Sequence, residues 1–354
     1  VFHALIIANW ELLVKRNTGD LLANINKVYI ISQTQENHMS QTRTIRWIVD
    51  HEPVELFIRT AQAFNQKIRE LTQDSIQVEI YTSEEYSKKF STAKVHPLTM
   101  INAGDAEVTQ VETRWVGSWY NPDFFALELP YLFKDHDHAS RVLDGAIGKK
   151  LLSKIQETSA VRGLAFTYSG GFRVFASDQE VTTSEDFVKL TCVSTLNPVR
   201  VDTARALGCT VVPATAAMSD DRNNLVKAKG TVETTLPRYD VEAYKQGLTH
   251  IARTDHSMFL TTILINNDFF NSLTPEQQQA MTQASAHVAK LERSWTVNEA
   301  DQIEADTDLH ERKGISYHRF AEAEIAKLKQ KTQPLYDKYR DIFSPQLVDD
   351  MIKA

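Results

Sequence analysis

Residues 274–314, TPEQQQAMTQASAHVAKLERSWTVNEADQIEADTDLHERKG, open on Thr274-Pro275-Glu276, a helix-start signature, and then run for almost forty residues without a breaker. At ~1.5 Å per residue such a helix exceeds ~45 Å, longer than one small domain accommodates. The stretch therefore predicts a helix that braces more than one domain.

The chain on its N-terminal side has a different rhythm. TIRWIVD (44–50) is a short β-type run, PVELFIRTAQAFNQKIREL (53–71) sets Leu56, Phe57, Ala61, Phe64 and Ile68 at helical spacing, and SIQVEIYT (75–82) alternates apolar and polar residues as a half-buried strand does. The same β-α-β alternation returns in HPLTMINAGDAEVTQVETRW, and in LTCVST, the helix-like PVRVDTARALG, and CTVVPAT. Such alternation implies an α/β fold with parallel or mixed sheets covered by helices. Cys192 and Cys209 fall in two of these runs, which places them on neighbouring strands joined by a helix.

Composition narrows the function. The 354 residues carry a formal net charge of −7 and no Lys/Arg-rich run, which argues against a nucleic-acid partner. No apolar run approaches the ~18–20 residues that span a bilayer. The first residues, VFHALIIANWELLVKR, do not read as a secretory leader, because the basic residues follow the apolar stretch. Residues 1–43 are expected to be an N-terminal extension, and the His38-Met39 junction is compatible with an artificial join as well as with a natural one. Two cysteines do not settle the redox compartment.

Catalytic signatures are missing: there is no G-x-S-x-G, H-E-x-x-H, Walker A or dinucleotide glycine motif. KDHDHAS (134–140) alternates His136 and His138 with Asp135 and Asp137; helix capping explains it better than metal ligation, and no metal or cofactor is expected. His250 and His256 fit packing better than ligation. ETRWVGSWYNPDFFALELPYLF (112–133) reads as an aromatic loop in which Trp115 and Tyr120 are candidates to line a ligand cleft while much of the rest packs in the core. Glu112 ends a strand-like run, where ligands collect in open α/β sheets. In FTYSGGFRVFA (166–176), Arg173 follows a Gly pair inside an otherwise apolar strand.

LELPYLFKDHDHASRVLDGAIGKKLL, GLAFTYSGGFRVF, VTTSEDFVKL followed by ALGCTVVP, KGTVETTLPRY, and HSMFLTTILINNDFFNSLTPEQQQAM, in that order over residues 44–343, resemble the substrate-binding proteins of tripartite ATP-independent periplasmic (TRAP) transporters, the dicarboxylate-binding-protein family. The resemblance implies a two-domain periplasmic-binding-protein-like clamshell with hinge strands and a long bracing helix. It implies a first domain of 44–169 with 256–292 and a second of 170–255 with 293–354. It further implies a periplasmic, monomeric solute receptor that catalyses nothing, closes on a small organic acid or zwitterion, and delivers it to a TRAP permease. A receptor domain feeding a signalling partner, or a metal-dependent enzyme around His136, are the other readings.

At the residue level, the resemblance implies that Arg173 contacts a ligand carboxylate, the alternative being a structural arginine paired with an internal acid. Where the family carries its main clamp arginine, this chain has Val193. Arg200 or Arg205, in the following helical segment, could compensate, but a solvent-facing or C-terminal dipole role is expected for them, so Arg238 is the better substitute. Glu233 is expected near the cleft, and with Glu112 it favours a ligand bearing an amine or many hydroxyls over a simple dicarboxylate.

Overall fold

A computed structural model describes residues 42–51, 53–93, 95–194, 197–213 and 231–354. The chain begins β1 (Arg43–Val49), α1 (Val54–Thr72), β2 (Ile76–Thr82), α2 (Ser83–Phe90), α3 (Pro97–Ala103), β3 (Val108–Glu112) and α4 (Thr113–Trp119), followed by a 3₁₀ segment, Pro122–Glu128. It continues through α5 (His136–Asp144), α6 (Ala146–Thr158), β4 (Val161–Phe172), β5 (Val174–Ser177), β6 (Thr191–Ser194), α7 (Pro198–Leu207), β7 (Thr210–Pro213), β8 (Val232–Thr234), α8 (Leu236–Glu242), β9 (His250–Arg253) and β10 (Met258–Asn266). Then come α9 (Asn267–Asn271), α10 (Pro275–Ala305), α11 (Thr307–Lys313), β11 (Ser316–Arg319), α12 (Glu322–Thr332), α13 (Pro334–Arg340) and α14 (Leu347–Lys353).

Among the described residues the strands form three sheets: β2-β1-β3-β10-β4, β11-β9-β5-β8, and the pair β6-β7. The first is parallel at β1, β2 and β3 and antiparallel at β10 and β4. The expected β-α-β at residues 44–82 is β1-α1-β2, with α1 laying Leu56, Phe57, Ala61, Phe64 and Ile68 inward. Phe57, Phe64 and Ile68 join Trp47 of β1 and Met281, Ala284 and Val288 of α10 in one apolar layer. On the other face, Phe124, Phe125, Leu127, Leu151 and Phe166 pack with Tyr339 and Met351 of the C-terminal helices. The second sheet is covered on one side by a cluster around Phe175, Phe187 and Leu328 and on the other by one around Tyr239 and Ile251.

The long helix ends sooner than the unbroken stretch 274–314 predicts. Thr274 and Gln277 form a capping box at its start, and α10 runs 31 residues, about 46 Å. It stops at Asp306, whose side chain accepts from the Leu309 amide and so starts α11. The bracing role holds: the first half packs on the first sheet, while Ala300 and Ile303 pack on the second. The aromatic stretch 112–133 is also not a loop. It folds as α4 and the 3₁₀ segment, because Asn121 and Pro122 cap a new turn that carries Phe124 and Phe125 into the core.

Two segments cross between the sheets, at Arg173 between β4 and β5 and at residues 254–257 between β9 and β10. They are tied by a hydrogen bond from the Arg173 amide to the Ser257 carbonyl, 2.8 Å. The Gly pair before Arg173 makes the crossing. Gly170 and Gly171 have φ of +98° and +74°, and the β4-β10 register slips there, with Phe259 opposite Gly171 and Leu260 opposite Tyr168. A Cβ on Gly170 would lie 2.1 Å from Thr235 Oγ1.

Inside the first sheet's layer, Glu292 of α10 is fully buried and accepts hydrogen bonds from Thr60 Oγ1 (2.7 Å) and Gln110 Nε2 (2.8 Å). Burial outweighs these bonds and raises its carboxyl from the ordinary 4.5 to about 7.

Gly170→Ala is expected to cost more stability than Gly247→Ala. Gly247 has φ +81° with nothing within 4 Å of its Cβ direction, so that substitution carries only the left-handed backbone penalty of roughly 1–2 kcal/mol. Equal losses in urea unfolding would refute the close-contact account of Gly170. For Glu292, the folded state holds a proton between about pH 4.5 and 7 that the unfolded chain has released, so stability falls as pH rises through that window. Glu292→Gln mimics the protonated form: urea midpoints should lose that part of the pH dependence and rise above wild type at pH 8.

Candidate ligand site at the sheet crossing

The two crossings bring Arg173 to the centre of a buried charged cluster. Its side chain is 0% exposed, stacks on Phe259 at 4.2 Å, and directs Nη2 at Glu112 (3.2 Å) and Glu128 (3.7 Å). Nε and Nη1 have no hydrogen-bond partner among the described residues. Arg173 is thus paired with internal acids and still has donors left over. Burial and the neighbouring Arg200 lower its basicity.

Glu112 is the last residue of β3, a strand buried along its whole length, and precedes the first turn of α4. Its carboxylate does not cap that helix. Oε2 accepts from Arg114 Nε at 2.6 Å, and Oε1 accepts from both Arg173 Nη2 and Arg200 Nη1, each at 3.2 Å. Burial alone would raise this carboxyl, but Arg114, Arg200 and Arg173 outweigh it and hold it well below the ordinary range.

Arg200 corrects an expectation. It is buried, not solvent-facing, because Asn197 caps α7 by accepting from the Val199 and Arg200 amides and so aims the first turn at the cluster. Its Nε donates to Glu233 Oε2 at 2.8 Å while Nη1 reaches Glu112. Burial opposes its charge, yet Glu233 and Glu112 raise its basicity. Arg205, in the last turn, is exposed and pairs only loosely with Asp202 at 3.6 Å, as the dipole argument expected.

Glu233 sits in β8 opposite Phe175, with Arg200 on one oxygen and His256 Nε2 3.7 Å from the other. Its carboxyl too is held low, burial being outweighed by Arg200 and His256. Arg238 of α8 donates to Ser169 Oγ at 3.0 Å and stacks, like Arg173, on Phe259 at 4.3 Å. Trp115 is half-buried and meets the cluster through Arg114, whose guanidinium lies 4.1 Å over its ring. Tyr120 turns away, its hydroxyl accepting from Asn102 at 2.6 Å. Val193 lies in β6 opposite Val212, and its side chain falls outside the described residues, as do residues 1–41.

The sequence reading passed over Glu128. It ends the 3₁₀ segment, is 2% exposed, and neither of its carboxylate oxygens has a hydrogen-bond donor among the described residues. Burial raises its carboxyl, with Arg173 and Arg200 offsetting only part. Its sequence signal is a lone charge between Leu127 and Leu129, the same pattern that Arg173 shows between Phe172 and Val174.

Several of the remaining candidates serve local capping and packing. Asp135 caps α5 through the His138 amide, and His138 is buried with Nε2 against the Met351 carbonyl at 2.8 Å. Among the described residues no three His, Cys, Asp or Glu side chains gather as a metal site. His256 stacks on Phe175. Strands β6 and β7 pair in parallel across α7, with Cys192 in β6 and Cys209 one residue before β7, both buried and free. No described helix is long and apolar enough to cross a membrane.

A charged cluster between two helix-covered sheets suits recognition of a small polar molecule. Comparison with known proteins agrees. A Haemophilus influenzae protein of uncharacterised role is 24% identical over 309 residues, covering 83% of this chain and 84% of that one. The C4-dicarboxylate-binding periplasmic protein DctP of Rhodobacter capsulatus is 26% identical over 262 residues, covering 71% and 75%. Among solved structures, the sugar acid binding protein DctPAm of Advenella mimigardefordensis in complex with galactonate superposes with a TM-score of 0.76 at 20% identity, covering 89% of this chain and 98% of that one. These likenesses support the two-domain fold of TRAP solute-binding proteins. The sequence profile of the bacterial extracellular solute-binding protein family 7 matches residues 52–341, and the chain belongs to that family.

Proposed function

We propose that this protein is a periplasmic receptor that captures a small organic acid or zwitterion between its two sheets and delivers it to a TRAP-type permease, catalysing nothing. The family supports the receptor role, and relatives named for C4-dicarboxylates or solved with galactonate or L-gulonate support the ligand class. The observation that carries the reading is Arg173, wholly buried at the crossing with Nε and Nη1 without a hydrogen-bond partner among the described residues. A planar guanidinium in that state offers charge-assisted hydrogen bonds that orient a carboxylate. We assign the ligand site to Arg173, Glu112, Glu233 and Arg238, with Trp115 at its edge and Tyr120, engaged with Asn102, outside it.

Residues 44–169 with 256–292, and 170–255 with 293–354, are proposed as the two bodies that close on the ligand, a single copy sufficing. The paired crossings and α10 are the natural hinge, since stiff helix-covered sheets move as units about a few inter-element residues.

Arg173→Ala should weaken binding of a carboxylate ligand by roughly 2–5 kcal/mol, and Arg173→Lys should restore only part of it. Calorimetry with the tightest ligand from a thermal-shift screen of carboxylates, amino acids, amines and sugar acids measures this. Unchanged affinity in a cooperatively melting Arg173→Ala protein would return the arginine to a purely structural role.

A further inference from the structure

The expected strand arginine is replaced by Val193, yet the cluster still holds two arginines aimed at one point. Arg173 Nη2 and Arg200 Nη1 converge on the same atom, Glu112 Oε1, each at 3.2 Å. One carboxylate oxygen shared by two buried guanidinium groups is the arrangement an anion site presents to a ligand carboxylate. The anion between them is the protein's own. Glu112 has a third partner, Arg114, at the shorter distance of 2.6 Å on its other oxygen, so it can leave the pair and remain neutralised.

The surroundings define what else a ligand must carry. Among the described residues Glu128 is buried with no hydrogen-bond donor on either oxygen, and its nearest cation, Arg173, stands at 3.7 Å. Such a carboxylate is costly unless a donor reaches it. Nearby, Glu112 carries arginines on both oxygens, and Glu233 carries Arg200 on one oxygen with His256 3.7 Å from the other. A second ligand carboxylate directed at Glu128 would have to share a proton with another buried acid, whereas a hydroxyl or ammonium group would supply the missing donor.

We propose that Arg173 and Arg200 form an anion subsite which Glu112 fills from within, that a ligand monocarboxylate displaces Glu112 onto Arg114, and that hydrogen-bond donors at the ligand's other end meet Glu128. Arg200 thus takes over, from the first turn of a helix, the role of the arginine missing at Val193. The site takes hydroxylated or amino monocarboxylates and rejects dicarboxylates. This inference rests on the receptor reading.

The test uses the full chain and probes matched in length: 4-hydroxybutyrate, 4-aminobutyrate and succinate, with D-gluconate as a polyhydroxylated acid, each titrated by calorimetry. In the wild type, at least one donor-ended acid should bind ten times or more tighter than succinate. Glu128→Gln should narrow that ratio to about threefold or less. Glu112→Gln, which weakens the internal competitor, should tighten carboxylate binding about tenfold, and Arg200→Ala should weaken it about a hundredfold. Succinate binding as well as the donor-ended acids, measured on the wild type alone, overturns the inference and leaves the receptor reading standing. Weaker binding in a Glu112→Gln protein that melts cooperatively also overturns it. If no carboxylate in the screen or in this set binds the wild type, the receptor reading itself fails.

Discussion

Everything at the centre of this molecule follows from one carboxylate, Glu112, held by three arginines from three elements: Arg114 in α4, Arg173 at the sheet crossing and Arg200 in α7. An ionised group that deep is tolerated only when paired and hydrogen-bonded. Because Arg200 belongs with the second sheet's side and Glu112 ends a strand of the first, satisfying the carboxylate also joins the two halves. Breaking one member leaves a buried charge without its counter-charge, so the halves are coupled through electrostatics as well as through packing.

The crossings impose the same coupling on the backbone. Two left-handed glycines, Gly170 and Gly171, bend the end of β4 two residues before Arg173, and the Arg173 amide bonds the second crossing at Ser257. Side chain and main chain of one residue thereby serve different ends: the amide holds the two connecting segments together, and the guanidinium meets Glu112 and Glu128. The long helix α10 completes the frame, its buried Glu292 tied to the first sheet and its far end packed on the second.

Much of this was legible in the sequence where local physics dominates. The β1-α1-β2 unit shows its period in the spacing of Leu56, Phe57, Ala61, Phe64 and Ile68, and the start of α10 shows in Thr274-Pro275. What could not be read was local structure decided by distant partners. The end of α10 depends on Asp306 preferring to cap α11, though no Gly or Pro marks the break. The aromatic stretch looked like a loop because of its Gly, Asn and Pro, yet these residues start and stop two short helices whose phenylalanines are recruited by the core. Glu128 carried a readable sign, an isolated charge among apolar residues, but which cation faces it is a matter of tertiary placement.

Arg200 shows where a local rule is overridden. A cation in the first turn of a helix lies at the positive end of the macrodipole and is disfavoured there, whereas one in the last turn is favoured. Arg205 obeys the rule at the surface. Arg200 violates it in a buried position, and burial adds a further cost to its charge. Two carboxylates, Glu233 and Glu112, offset both penalties at 2.8 and 3.2 Å. A residue that contributes nothing to its own helix and requires two buried acids to remain charged is not there for helix stability. Its placement makes sense as electrostatics: from the first turn of α7 its guanidinium reaches both Glu233 and the Glu112 oxygen that Arg173 also holds.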